Sequence, residues 1–257
     1  MKFCALASGS SGNCFFVKNK DSGILIDVGI SAKRVVEGLA GINENPENIK
    51  GIFITHEHSD HIKGVDVLAR NFGIPIYATS GTINNCFLCS QGDLINPIKS
   101  DETVRVSGME VEAFAKSHKA GEPVSYRIRN GKIISVITDI GKACKNVQEA
   151  VSDSDFLAIE SNHDEEMLIS GPYPAFLKKW ILSDIGHISN LNSACCVLEH
   201  GKAKLKNVLL SHLSKTNNTP ELAYKVFHNL VKERSDLKPK ISLSLRDVAS
   251  DVFRVGV

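Results

Sequence analysis

Four side chains that can bind a metal ion lie close together in the segment Thr55-His56-Glu57-His58-Ser59-Asp60-His61. Imidazole nitrogens and carboxylate oxygens are ligands that zinc and manganese take in proteins. Chance rarely produces three histidines and an aspartate at these spacings in a chain with nine histidines. A polar turn rich in histidine is the alternative interpretation. The segment predicts a metal site, and because one loop cannot fill the shells of two ions, further ligands must come from distant segments.

A predicted strand and a predicted helix flank this segment. The apolar run 51–54 precedes it, and a helical pattern of apolar residues follows it, at Ile62, Val65, Leu68 and Ala69. The period of two in a strand brings His56 and His58 to one side. Asp60 and His61 then begin the helix and point elsewhere, which suits a second ion close to the first.

Polar residues also end three strands that the sequence predicts to be buried. Asp139 ends the run 133–139, Glu160 ends 156–160, and His212 ends 208–212. Strand ends of a layered sheet converge on one crevice, which is where such folds place their sites. A lone aspartate or histidine there is often a turn former or a helix cap, and an ion pair explains Glu160 equally well. Together they are candidates to complete the metal site.

Two further residues are candidates near the same crevice. His118 follows the predicted strand 111–115 and is a potential ligand. Asp27 ends the predicted strand 23–27. It is expected to orient residues 55–61, the histidine loop, by accepting hydrogen bonds from them.

Composition is that of a globular α/β protein without membrane spans. The 257 residues are 42% hydrophobic and 23% charged, and no apolar run approaches the ~20 residues of a membrane helix. The short apolar stretch at the N-terminus is too brief for the core of a signal peptide. Seven scattered cysteines indicate reduced thiols and a cytoplasmic protein. Cys86 and Cys89 are expected on the apolar face of a helix rather than in a zinc or redox site.

Charge is distributed unevenly along the chain. Residues 1–170 contain 17 Lys+Arg and 22 Asp+Glu, a net charge of −5, whereas residues 171–257 contain 13 and 7, a net charge of +6. The basic part could contact the phosphates of an anionic polymer. A solvated lysine-rich surface explains the same pattern equally well.

Continuously apolar runs such as 133–137 and 208–210 are typical of strands buried on both faces, and they imply sheets covered by helices.

Ser107-Gly108 predicts a hairpin between two strands. Helices are expected mostly after the first hundred residues. Ser189 is a predicted cap for a helix ending before Gly201, Thr219-Pro220 begins another, and Pro174 opens a third over 175–182.

The pattern His56-x-His58-x-Asp60-His61, followed by His118, Asp139 and His212, resembles that of the metallo-β-lactamase family of binuclear hydrolases. The resemblance spans nearly the whole chain. It implies one α/β domain over residues 1–257, a four-layered αββα sandwich with two mixed sheets. The segments 8–13, 160–164, 186–190 and 211–214 resemble the YycJ/WalJ-type branch, whose members are associated with 5′→3′ exonuclease activity on double-stranded DNA.

Departures from sister branches favour a nuclease. Lactamases of this fold commonly carry a cysteine where Asp139 stands, so a carboxylate there favours phosphoester chemistry. The chain has no spare segment for the arm with which ribonuclease-Z-like enzymes grip transfer RNA. The extra domain of β-CASP nucleases between Asp139 and His212 is also missing.

The resemblance implies two divalent metal ions as cofactors, zinc or manganese with iron as a further option. It assigns His56, His58 and His118 to one ion, assigns Asp60, His61 and His212 to the other, and makes Asp139 the bridge between them.

The resemblance also implies roles in catalysis. Asp60 is expected to accept a hydrogen bond from the attacking water, and His187 to protonate the leaving oxygen while Glu160 holds its tautomer. Substrate contacts are predicted for three residues: Ser11, Asn13 and His163.

Two alternatives to a DNA exonuclease remain open at this point. One is a phosphodiesterase of the same fold that acts on RNA or on a small molecule. The other is a metal-stabilised module that binds nucleic acid or protein without turnover, although a complete ligand set together with His187 argues against it.

Overall fold

A computed structural model describes residues 1–256. The chain forms two compact units. The first consists of Met1–Ala115, Ala120–Lys132 and the residues from Leu245 onward, and the second of Lys116–Lys119 and Ile133–Ser244. A single domain over residues 1–257 stays a prediction.

The described residues contain strands and helices in mixed order. The strands are β1 (Lys2–Ala7), β2 (Cys14–Asn19), β3 (Ser22–Ile26), β4 (Ile49–Phe53), β5 (Ile76–Thr79), β6 (Ile95–Ile98), β7 (Thr103–Val106), β8 (Met109–Ala115), β9 (Val124–Asn130), β10 (Lys132–Ile137), β11 (Phe156–Glu160), β12 (Asn207–Ser211), β13 (Lys240–Leu243) and β14 (Phe253–Arg254). The helices are α1 (Ala32–Gly41), α2 (Ser59–Ile62), α3 (Val65–Phe72), α4 (Ser80–Asn85), α5 (Lys145–Asp153), α6 (Glu165–Ser170), α7 (Ala175–Ile181), α8 (Asn190–His200) and α9 (Pro220–Val231).

The first unit contains a mixed seven-stranded sheet in the order β14-β1-β2-β3-β4-β5-β6. Its early pairs are antiparallel, and β3 to β6 run parallel to one another. Helix α1 packs on this sheet with Val35 and Leu39, which are four residues apart and fully buried. The Ser31 hydroxyl caps α1 by accepting a hydrogen bond from the backbone N–H of Arg34. The parallel strands deliver the histidine loop to one end of this sheet.

Strands β7, β8 and β9 form an antiparallel meander in the same unit. The predicted hairpin is confirmed, because Ser107 and Gly108 both have positive φ, at 54° and 70°, as a two-residue hairpin turn requires. Strand β9 also supports the histidine loop. The Tyr126 hydroxyl donates to the carbonyl of Ile54 at 2.7 Å, and the backbone N–H of Val124 donates to the carbonyl of Thr55 at 2.9 Å.

Four parallel strands, β10 to β13, form the sheet of the second unit. The apolar runs predicted to be buried on both faces are β10 and β12, as expected. Helices α8 and α9 begin at the predicted caps. The Ser189 hydroxyl accepts from the N–H of Asn192, and the Thr219 hydroxyl accepts from that of Leu222.

Five of the nine described α-helices, α5 to α9, follow residue 100, as expected, and α1 to α4 precede it. One expectation about a helix was wrong. Cys86 and Cys89 do not lie on a helix face, since α4 ends at Asn85. They pack against the core of the first unit, and burial raises the pKa of the Cys86 thiol to about 11.

All seven cysteines are free thiols. Within residues 1–256, no helix combines the length and the apolar character needed to cross a bilayer.

Candidate metal centre and active site

The histidine loop of the first unit follows β4 and ends in the single-turn helix α2. His56 and His61 are buried, and His58 is half-buried. The Nε2 atom of His56 lies 2.9 Å from the Nδ1 atom of His58. Two imidazole ligands of one tetrahedral zinc ion lie about 3.3 Å apart, given Zn–N distances of about 2.0 Å. The two rings therefore converge as ligands of a common ion would.

Asp27 orients the imidazoles of this loop, as the sequence predicted. It is fully buried, and its Oδ2 accepts from His61 Nδ1 at 2.7 Å and from the Thr55 hydroxyl at 2.8 Å. Because that hydroxyl donates to Asp27, its oxygen accepts from His56 Nδ1, 2.9 Å away. One carboxylate thus fixes a proton on the Nδ1 atoms of His56 and His61, which makes Nε2 the lone-pair atom in each ring.

The Asp60–His61 end of the loop is held by Asn13. The Asn13 amide nitrogen lies 3.4 Å from Asp60 Oδ2 and 3.2 Å from His61 Nε2, and the Asn13 backbone N–H donates to the Asp60 carbonyl at 2.8 Å. Gly29 makes this approach possible, because a Cβ atom there would lie 1.6 Å from the Asp60 carbonyl oxygen. Only glycine fits at this position.

In the second unit, Glu160 is the centre of a cluster with Asp139, His187 and His212. One ligand atom from each of these four residues lies within 4.8 Å of those of the others. Glu160 Oε1 accepts from Nδ1 of His187 and from Nδ1 of His212, both at 2.8 Å, and Oε2 accepts from the N–H of Ile140 at 2.7 Å. Both rings therefore carry their proton on Nδ1 and turn Nε2 away from Glu160.

The charge state of Glu160 follows from these partners. Burial by itself would raise the pKa of this carboxyl, but the charges and hydrogen bonds of His187 and His212 outweigh burial and lower it. Glu160 is therefore a carboxylate at neutral pH.

Three site residues have a left-handed backbone although none is glycine. Asp27 has φ 59°, Asp139 has φ 55° and His212 has φ 56°, and each stands just after a strand. Asp, Asn and His are the side chains that tolerate this region best, and such residues cluster at functional sites. The positive φ turns the backbone away from the strand and so changes the direction in which each side chain points.

His118 belongs to the second unit together with its flanking residues. Its Nδ1 donates to the carbonyl of Gly186 at 3.1 Å, so Nε2 is again the lone-pair atom. Burial lowers the pKa of His118 to about 3, despite the nearby charge of Asp139, and the ring is therefore neutral. Its ring centre lies 5.3 Å from that of His187.

His187 is held between Glu160 and Trp180. Its side chain is 14% exposed, and the Trp180 ring meets it edge to face at 5.4 Å. The backbone N–H of His187 donates to the carbonyl of Ile181 at 2.9 Å. A fixed, partly accessible imidazole beside a carboxylate is suited to proton transfer.

A network of buried side-chain amides supports the Glu160 cluster. The Asn218 side-chain amide donates to the carbonyls of Ser161 and Asn162, each at 2.9 Å, and its Oδ1 accepts from the Asn190 amide. Asn162 in turn donates to the carbonyl of His212 at 3.0 Å. These bonds fix the loops that carry Glu160 and His212.

The donor set of each unit fits divalent metal ions. Four of the candidate metal-binding imidazoles have an acceptor at Nδ1 and therefore present Nε2 as the lone-pair atom. They are His56, His61, His118 and His212. The mixture of imidazole and carboxylate donors suits zinc, manganese or iron.

The three predicted substrate contacts have different surroundings. Ser11 is exposed in the turn before β2, whereas Asn13 is fully buried against the histidine loop. His163 is 1% exposed, and neither ring nitrogen has a hydrogen-bond partner within residues 1–256. Burial lowers the pKa of His163 to about 4. Their contact with substrate stays a prediction.

Sequence reasoning missed the supporting roles of three residues. Thr55 relays the hydrogen bond from His56 to Asp27, Asn13 braces Asp60, and Asn162 braces His212. Thr55 and Asn162 stand directly beside predicted site residues, and this adjacency was the available signal.

Comparison with protein families gives one match over most of the chain. Residues 23–213 match the family described as "Beta-lactamase superfamily domain". Among solved structures, the metallo-β-lactamase fold protein YhfI from Bacillus subtilis is similar, with a TM-score of 0.73, 15% identity and coverage of 97% of this chain and 99% of that one. This likeness shows the metallo-β-lactamase fold, as predicted from the sequence.

Two curated relatives are similar over nearly their full length. The exodeoxyribonuclease WalJ of Streptococcus pneumoniae serotype 2 (strain D39) is 37% identical over 97% of this chain and 95% of its own. The exodeoxyribonuclease YycJ of Bacillus anthracis is 36% identical over 91% of this chain and 90% of its own.

Proposed function

Because this chain belongs to the beta-lactamase superfamily and, within it, to the family of WalJ and YycJ, we propose that it is a metal-dependent 5′→3′ exonuclease on double-stranded DNA. The observation that carries the proposal is the Glu160 cluster, in which one carboxylate fixes both His187 and His212. Such a cluster combines a candidate proton donor with candidate metal ligands. Exodeoxyribonuclease activity of the two relatives supports the substrate class.

The fold family and the clusters of His and Asp donors described above both support divalent metal ions as cofactors. We propose two ions, of zinc or manganese. His56, His58 and His118 would hold one, Asp60, His61 and His212 the other, and Asp139 would bridge them. Bound there, the two ions would supply Lewis acidity toward water and the phosphate.

The protein residues would then orient the reactants and move protons. Asp60, braced by Asn13, would accept a hydrogen bond from the attacking water. His187 would protonate the leaving oxygen from Nε2, since its Nδ1–H is committed to Glu160. Glu160 would stabilise the cationic imidazole before that transfer.

DNA as the partner is supported by the two exodeoxyribonuclease relatives and by charge, and the proposal extends this to double-stranded DNA. Residues 171–257 have a net charge of +6, and Lys202, Lys204 and Lys206 are exposed. Phosphate contacts by such lysines release counterions, so binding should weaken steeply with salt. Free thiols at all seven cysteines support a cytoplasmic location.

The test is degradation of end-labelled duplex DNA with manganese or zinc, beside Asp60→Ala purified in the same way. We expect progressive shortening from the 5′ end by the wild type and none by the variant. A metal-replete wild type that leaves duplex DNA intact but cuts RNA or a small phosphodiester would contradict the assignment of substrate.

A further inference from the structure

An exposed aromatic residue on α7 lies close in the chain to the candidate proton donor. Phe176 is 75% exposed, more than any other large apolar side chain described in residues 1–256. It lies one turn before Trp180 on the same face of α7, because residues four apart are neighbours on a helix. We call Phe176, Lys179 and Trp180 the α7 stripe.

The α7 stripe stands at a fixed offset from His187. The Trp180 ring contacts the His187 ring, and the carbonyl of Ile181 at the end of α7 accepts the backbone N–H of His187. Gly186 packs so closely on this end that a Cβ atom there would lie 2.2 Å from the Trp180 carbonyl oxygen. Helix α7 therefore cannot shift relative to His187 without breaking these contacts.

The charge beside the α7 stripe is positive. Lys179 is exposed next to Phe176, and Lys178 is tied back by a bond from its Nζ to the carbonyl of Ile169 at 2.7 Å. The nearby carboxylate of Asp184 is paired with Lys142. An exposed ring beside a lysine matches a base and its phosphate, because every base has a face on which an aromatic ring stacks.

We propose that the α7 stripe binds the open end of the duplex, with Phe176 stacked on the terminal base and Lys179 on an adjacent phosphate. This inference rests on the proposed function and adds how the end is opened: the stacked base leaves its pair, which frees the strand to be cut beside His187. A second copy of the chain fits this surface poorly, because a two-fold contact would bring the lysines of both copies together.

The test compares Phe176→Ala, Phe176→Trp and Ile169→Ala on blunt duplex DNA, on duplex with mismatched terminal pairs and on bis(4-nitrophenyl) phosphate. We expect Phe176→Ala to lower kcat/KM on the blunt duplex by about 5- to 150-fold, the range for one lost aromatic–base stack. On duplex DNA with mismatched ends, Phe176→Ala should recover most of the lost kcat/KM, and its hydrolysis of the small ester should equal that of the wild type. Phe176→Trp and Ile169→Ala, an aliphatic control that is 62% exposed, should cut duplex DNA like the wild type.

Three results would overturn the inference. If Phe176→Ala cuts blunt duplex DNA like the wild type, the proposed stack does not contribute. Equal losses on DNA and on the ester would show that the contribution of Phe176 is not specific to a DNA end. A halved molecular mass of Phe176→Ala in light scattering would make the surface an interface between copies. A wild type that leaves DNA intact would instead overturn the proposed function itself.

Discussion

Replacing Glu160 by glutamine should break the cluster that holds His187 and His212. The two carboxylate oxygens accept three N–H donors, from these two rings and from the backbone of Ile140. Glutamine offers one oxygen and one NH₂ group. If its oxygen faces the rings, its NH₂ meets the N–H of Ile140, and if it is turned round, both rings must move their proton to Nε2. Either arrangement leaves a buried donor unsatisfied or a ring in the wrong tautomer.

The expected magnitude follows from that count of donors. One unsatisfied buried donor costs about 1–3 kcal/mol of unfolding free energy. In a chain of this size each kcal/mol lowers Tm by about 2–4 °C. Loss of a residue that orients metal ligands lowers activity or metal affinity by about 10- to 100-fold. Because 4-nitrophenolate leaves without a proton, the loss on DNA should exceed that on bis(4-nitrophenyl) phosphate if Glu160 acts through His187.

The assay measures turnover on both substrates at saturating manganese, with the metal content and melting temperature of each variant. Glu165→Gln is the matched control, because Glu165 accepts from the Ser189 hydroxyl at 2.7 Å rather than from an imidazole. It should retain wild-type turnover. Wild-type turnover and Tm in Glu160→Gln would refute this account, and equal losses on the two substrates would refute the role through His187.

Three further predictions concern the support of the site and its response to pH. Asp27→Asn should weaken metal binding by about 10- to 100-fold in a titration of the apoprotein, because His61 loses the carboxylate that fixes its tautomer; unchanged affinity would contradict this. Gly29→Ala should lower the free energy of unfolding in urea by about 1–3 kcal/mol or more, since its Cβ would meet the Asp60 carbonyl; a wild-type midpoint would contradict this. His163 takes up a proton below about pH 6.5 in the unfolded chain but only near pH 4 when folded, so stability should fall as pH falls through this interval, by up to about 3 kcal/mol. His163→Gln should abolish this part of the pH dependence, measured as urea midpoints at pH 7 and pH 4.5, and a variant with the wild-type pH dependence would count against it.

The sequence predicted the donors at strand ends because their strands are simple to recognise. Strands β10 and β12 are rich in Ile, Val and Leu, so Asp139 and His212, which lie just beyond these apolar stretches, stand out in the sequence. Helices α8 and α9 were equally predictable, because Ser189 and Thr219-Pro220 supply strong start signals. Local chemistry alone determines these features.

Other elements depend on tertiary packing and were not predictable in the same way. Helix α1 contains Gly38 and Gly41 and has low intrinsic propensity, so packing of its buried face has to stabilise it. Strand β6 was not predicted, because Pro97 weakens the strand signal, and it forms through pairing with β5 at the edge of the sheet. The bracing by Asn13 joins segments 47 residues apart, a pairing that no local pattern specifies.

The left-handed backbone at Asp139 and His212 restricts how this centre can change during evolution. For Asp139 and His212 as the proposed metal ligands, a substitution must supply a new donor atom and also tolerate positive φ. Asp, Asn and His satisfy both demands, whereas Glu and Cys carry a backbone penalty besides any misfit of the side chain. The main chain therefore constrains which donor atoms these two positions can offer, and with the backbone seen here a thiolate at either position would carry that penalty.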